Sequence, residues 1–145
     1  MQRLILRAYA GLDRVPLDLL LLAARIAVAV VFFRSGLTKI ASWDTTIALF
    51  QNEYALPLIP PQIAAPLAAA NELGMSTLLA FGLFTRLATL PLLGMVFVIQ
   101  TLVYPVNWPE HLTWATLLLL VLTRGPGIVS LDALFSHTIF RRQPA

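Results

Sequence analysis

Arg25 and Glu72 are the residues least at home in their surroundings. Each interrupts a long apolar run. A charge at the centre of a bilayer costs about 2.5–3.5 kcal/mol on insertion scales, so such groups face a protein interior, pair with one another or mark a functional site. Helical arithmetic at 100° per residue places Asp18, Arg25, Phe32, Gly36 and Lys39 on one stripe of the first apolar segment. On the second, Ala65, Ala68, Ala69, Glu72, Ser76, Leu79, Leu83 and Arg86 form another, whose small residues admit a close neighbour. Arg25 stands about 12 Å and Glu72 about 16–18 Å from the same membrane face, at 1.5 Å per residue. The spacing therefore predicts an Arg25–Glu72 ion pair between antiparallel helices. Such a pair serves either register and orientation or ligand and proton handling.

Five further residues carry chemical potential. Lys39 and Arg86, like Arg34, lie near segment ends and are expected to snorkel. Gln100 in the third segment is expected to donate an interhelical hydrogen bond. His111 has only Glu110 beside it, and His137 is expected on the opposite face, so no metal site is expected. Trp108, with Tyr104 and Trp114, reads as an interfacial aromatic belt, with a quinone ring or a partner as the alternative contact. No G-x-S-x-G, H-E-x-x-H, Walker or G-x-G-x-x-G pattern occurs, so catalytic residues stay unassigned.

The elements that must position these residues follow from composition. Of 145 residues, 59% are hydrophobic and only 12% charged, against about 25% charged in an ordinary soluble domain. Lipid is the solvent that such a chain requires. That excludes a disordered tail, a disulfide scaffold and a nucleic-acid module, and with no cysteine there are no thiolate ligands or nucleophiles.

A hydrocarbon core of about 30 Å needs about 20 apolar residues of helix. Four segments qualify, at about 15–34, 63–84, 87–104 and 109–124. Gly125-Pro126-Gly127 stops the last. The first does not read as a signal peptide, because its apolar stretch is long and Arg25 interrupts it. The expected fold is an all-α four-helix transmembrane bundle with a short outer interfacial amphipathic helix. Residues 1–140 form one domain and 141–145 a basic tail. The outer helix is capped by Ser42 or Asp44 and carries the stripe Trp43, Ile47, Phe50 and Tyr54. Ser130 caps a second short helix, with Asp132 in its first turn suited to the dipole. Arg3, Arg7, Arg14, Arg86, Arg124, Arg141 and Arg142 fall on one side, which makes both termini cytoplasmic. Together Trp43, Ile47, Phe50, Tyr54, Tyr104, Trp108, His111 and Trp114 either form a lipid-facing belt or roof a cavity above Glu72, with Lys39 at its rim.

The chain resembles the DoxX family of small four-span bacterial membrane proteins, from about Asp18 to Phe135. The resemblance rests on Arg25, Phe33-Arg34-Ser35-Gly36-Leu37-Thr38-Lys39, Glu72-Leu73-Gly74, Gly82-Leu83-Phe84-Thr85-Arg86-Leu87-Ala88, Gly125-Pro126-Gly127 and Ser130-Leu131-Asp132. It implies an integral inner-membrane subunit or anchor of a redox or stress-related complex, without autonomous catalysis and with quinone as the candidate ligand. Two alternatives stand beside it. One is a transport or export accessory using the buried Arg–Glu pair. The other is a quinone-reactive oxidoreductase subunit whose electron donor lies on another chain. Expected partners are the bilayer, a protein of the complex and a second copy of the chain, but no nucleic acid. No cofactor is evident beyond the candidate quinone.

Overall fold

The computed structural model describes residues 15–140, with side chains to Ser136. Arg3, Arg7, Arg14, Arg141, Arg142 and the tail 141–145 lie outside the described residues, as does the side chain of His137. Among the described residues there are six α-helices and no strand. They are α1 (Leu17–Ala41), α2 (Trp43–Leu49), α3 (Pro61–Phe81), α4 (Thr85–Val98), α5 (Trp108–Arg124) and α6 (Leu131–Phe140). Two π-helical turns, Phe50–Tyr54 and Ile99–Val103, extend α2 and α4, and a 3-10 turn, Pro105–Asn107, leads into α5. Two segments, Pro61–Phe81 and Thr85–Val103, are long and apolar enough to cross a membrane.

The four long helices close a ring in which α1 packs on α3 and α5, and α4 packs on α3 and α5. Its core joins Val28, Ala29 and Phe32 of α1 to Leu79 of α3, Leu92 and Val96 of α4, and Leu118 and Val121 of α5. At the α1–α3 contact, a Cβ on Gly36 would lie 2.7 Å from Leu73 Cγ and 3.2 Å from Glu72 Cβ. Glycine there lets the two helices approach closely.

Helix ends differ from the sequence expectation for identifiable reasons. The first segment runs on to Ala41 because nothing between Ser35 and Ala41 breaks it, and extended backbone at Ser42 ends it. The second starts at Pro61, where proline's missing N–H costs nothing, and stops at Gly82, whose φ of 68° is left-handed. Ser42 precedes α2, yet its hydroxyl pairs with Thr45 Oγ1 at 2.7 Å instead of capping a backbone N–H. Ser130 does cap α6, accepting from Ala133 N at 3.1 Å. The short helix α2 and the π-helical turn after it lay their stripe on α3: Phe50 packs with Ala64 and Ala65, flanked by Ile47 and Tyr54.

Candidate functional site

The expected Arg25–Glu72 pair does not form. Arg25 is only 2% exposed, but its guanidinium donates to two backbone carbonyls, Pro126 O at 2.8 Å and Val129 O at 2.7 Å. Glu72 is engaged by Lys39, whose ammonium lies 2.8 Å from both carboxylate oxygens. The depth argument failed because it matched backbone heights alone. An arginine side chain can reach a full turn along the helix, and the carbonyls of the turn after α5 claimed it. Lys39 was expected to snorkel, yet it is buried at 8% exposure. One turn past Ser35, it lies on the stripe that faces α3, and Glu72 waits there.

The sequence-marked residues thus divide between two ends of the bundle, since 14 residues of α1 separate Arg25 from Lys39 by about 21 Å. The Arg25 end is a latch. Asp18 Oδ1 accepts from Ile128 N at 2.9 Å. Asp132 accepts from Phe84 N at 2.8 Å, and from Thr85 N and Thr85 Oγ1 at 2.9 and 2.8 Å. Expected to complement its own helix, Asp132 instead caps α4, whose first N–H groups would otherwise be orphaned. Gly82 sits at the centre: its carbonyl accepts from Asp132 N at 2.9 Å, and a Cβ there would come within 2.5 Å of Arg25 Nη1 and of Ser130 Cβ. Arg86 lies beside this latch, exposed as a snorkelling residue would be. The work of these residues is to dock the segment after α5 onto the α3–α4 turn.

The other end holds a cavity of about 560 Å³. Its floor is the charged triad of Lys39, Glu72 and Ser35. Ser35 Oγ donates to Glu72 Oε1 at 3.1 Å and accepts from Lys39 Nζ at 3.0 Å. Below it, Ser76 Oγ donates to the Glu72 carbonyl. The walls are mostly apolar, with aromatic rings from Phe32, Phe50, Tyr54, Tyr104 and Trp114. Phe32 meets Trp114 edge-on at 5.6 Å, and Tyr54 meets Tyr104 at 5.8 Å. Both π-helical turns end at the mouth. Each closes with a five-residue backbone bond, Ala55 N to Phe50 O at 3.0 Å and Tyr104 N to Ile99 O at 2.8 Å. Such turns are rare and recur at functional sites. They aim Tyr54 and Tyr104 at each other across the opening, where the Tyr104 hydroxyl donates to Glu53. Burial pushes the Tyr54 phenol up from its usual range, so it stays protonated.

His111 is buried in the cavity wall. Gln100 holds it from behind, donating Nε2–H to Pro105 O at 2.9 Å and presenting Oε1 to His111 Nδ1 at 2.7 Å. Gln100, expected to donate between helices, donates instead within the connection to Pro105 O and joins α5 through its oxygen. Trp108 is exposed and lines a separate lateral groove between α4 and α5. Among the eight residues expected to converge, Phe50, Tyr54, Tyr104, His111 and Trp114 line the cavity, whereas Trp43, Ile47 and Trp108 do not. Of these, Phe50 and Tyr54 are brought in because the turn after α2 packs on α3, and Tyr104, His111 and Trp114 reach the cavity from the α4–α5 end. Ser35 and Asn71, which also line the cavity, were not singled out as site residues. Lys39 follows Ser35 by one helical turn, and Asn71 precedes Glu72. No group of metal-ligating residues occurs among the described residues.

Residues 20–105 match the DoxX family. The chain belongs to the DoxX family. The matched stretch holds Arg25, Ser35, Lys39 and Glu72 and ends before His111. It is narrower than the resemblance read from the motifs. Over 131 residues the chain is 31% identical to the inner membrane protein YphA of Escherichia coli (strain K12), covering 78% of this chain and 88% of that relative. No solved structure matches this DoxX-family chain.

Proposed function

We propose that this DoxX-family chain is an integral protein of the bacterial inner membrane that crosses it with α1, α3, α4 and α5, both termini being cytoplasmic. There it serves as a non-catalytic subunit of a redox or stress-related complex and holds an amphiphile with a quinone-like head in the cavity above Glu72. The name of the Escherichia coli relative supports the location. So do the apolar side chains turned outward on all four helices, among them Leu20, Val30, Leu67, Phe81, Leu87, Phe97, Leu112 and Leu119. A soluble monomer rarely exposes so continuous an apolar surface. In this orientation α2 lies at the outer face and roofs the site.

The cavity is the observation that carries the ligand reading. Aromatic and aliphatic walls with a few convergent polar groups are the usual lining of a small-molecule site. About 560 Å³ is ample for one ring and the start of a tail. The chain has no cysteine for a redox centre, and its polar groups suit holding and orienting a head group. Gently extracted protein should carry near-stoichiometric quinone by mass spectrometry. A short-chain quinone analogue should quench tryptophan fluorescence saturably, and Trp114→Phe should abolish the saturable part, because Trp43 and Trp108 lie outside the cavity. Purification without bound quinone, together with only linear quenching, would overturn the ligand reading.

One feature favours the transport-accessory alternative: the buried cation at the cavity is a lysine. It is paired with a buried carboxylate, and buried charge pairs of this kind mark ion and proton pathways in membrane proteins. Dye-reported proton flux into proteoliposomes that is lost in Lys39→Met would support that role, and absence of flux in the wild type would remove it.

A further inference from the structure

A cavity that accepts a polar head must match that head's donors and acceptors, because a buried polar group left unpaired costs the full desolvation of that group. The hydrogen-bond accounts at the floor of this cavity are lopsided. Lys39 has three N–H donors; two are hydrogen-bonded, to Glu72 Oε1 and Ser35 Oγ, and the ammonium is also in ion-pair contact with Glu72 Oε2. The Ser35 hydroxyl gives its one proton to Glu72. The Asn71 amide nitrogen is already engaged on the α4 side, donating to Pro91 O at 3.3 Å with Met95 Sδ at 4.0 Å. Tyr104 gives its proton to Glu53, and the Tyr54 ring lies edge-on to it at 5.8 Å. On the walls, the indole N–H of Trp114, the hydroxyl of Tyr54 and the amide of exposed Asn107 are the donors left over.

Acceptors are in better supply. A carboxylate offers about four lone-pair sites, and Glu72 receives two contacts from Lys39 and one from Ser35. Asn71 Oδ1 has no donor among the described residues. His111 is the most informative. The amide of Gln100 is oriented by its bond to Pro105 O, so its oxygen faces His111 Nδ1. That fixes the proton of the neutral imidazole on Nδ1 and makes Nε2 the acceptor. Gln100 lines the lateral groove and not the cavity. His111 lines both spaces, and with Nδ1 held by Gln100, Nε2 is the ring nitrogen free to face the cavity.

We propose that this cavity selects a head group that donates hydrogen bonds, a phenol or hydroquinone, over the matching carbonyl-bearing oxidised ring, with His111 Nε2 as the principal acceptor. The proposal rests on reading the cavity as an amphiphile site and adds the protonation state of the ligand that it prefers. In a complex, such a site would retain the reduced, hydroxyl-bearing form of a ring and release the oxidised form.

The test uses redox-inert probes, so that binding is read without turnover. The full-length protein in nanodiscs is titrated with a hydrophobic alkylphenol and with its O-methyl ether, followed by calorimetry. The phenol is expected to bind about tenfold more tightly, the size of one good hydrogen bond. His111→Leu should bring that ratio close to one, and His111→Gln, which restores a side-chain acceptor, should recover part of it. Anaerobic titration with a short-chain hydroquinone and its quinone should show the same order. If the ether or the quinone binds as tightly as its hydroxyl-bearing counterpart, the preference is refuted while the amphiphile site stands. If no probe binds at all, the reading of the cavity itself fails. The wild-type comparison decides the matter even if the His111 variants do not fold.

Discussion

Lys39→Met turns the buried ion pair into a measurable quantity. The substitution keeps most of the aliphatic stem and removes the ammonium, which leaves Glu72 at 3% exposure with only the Ser35 hydroxyl on its carboxylate. Stranding one partner of a buried pair costs about 3–5 kcal/mol. Two features place this case at the lower end: Ser35 stays in contact, and the carboxyl can take up a proton from the cavity. We expect about 3 kcal/mol for Lys39→Met and a similar loss for Glu72→Leu, which strands the lysine. The double variant leaves neither charge behind and should lie within about 1.5 kcal/mol of wild type, a coupling of several kcal/mol between residues in direct contact. Reversible unfolding in mixed micelles of dodecyl sulfate and a mild detergent supplies the free energies. Arg25→Met provides the control. Paired with Glu72→Leu it should be additive to within about 0.5 kcal/mol, because the two side chains share no partner. Additive losses for Lys39 and Glu72, or strong coupling between Arg25 and Glu72, would refute the reasoning.

Gly82→Ala should destabilise by well over about 1 kcal/mol in the same assay, since it adds a Cβ in a left-handed conformation at 2.5 Å from Arg25 Nη1 and Ser130 Cβ; a neutral outcome would show that the latch is loose. Gly36→Ala should cost less, because Gly36 has ordinary helical backbone, although its Cβ would meet Leu73 Cγ at 2.7 Å and Glu72 Cβ at 3.2 Å. Asp132→Ala removes the cap of α4 and should cost about 1–2 kcal/mol, read as faster amide exchange at Phe84 and Thr85 than elsewhere in α4. A reporter active only in the periplasm should be silent when fused after Ala145 and active when inserted between Trp43 and Tyr54, and the reverse pattern would overturn the orientation.

The apolar content, the sites of the long helices and the stripes that face inward were all legible in the chain, because they depend on local periodicity. Asp18, Arg25, Phe32, Gly36 and Lys39 were placed on one stripe by residue spacing alone, and the structure buries the last four, Lys39 included although it was expected to snorkel. Gly125-Pro126-Gly127 announced the end of α5, because proline and left-handed glycine act on their own backbone. Convergence of outer aromatics above Glu72 was also readable as an alternative, since antiparallel order brings both outer connections to the same end. Partner choice was not. Arg25 and Lys39 share a stripe and a charge, and periodicity gives no reason for Glu72 to take one and not the other. That choice was made by the turn after α5, whose carbonyls reach Arg25 only when the whole ring has closed. The π-helical turns were equally invisible, because a single extra residue per turn is set by packing of Phe50 and Tyr54 on α3 and by the link from Tyr104 to Glu53. Sequence thus determined which residues had to be hidden from lipid; the tertiary structure decided which of them met, because a long side chain selects its partner by the three-dimensional position of distant backbone.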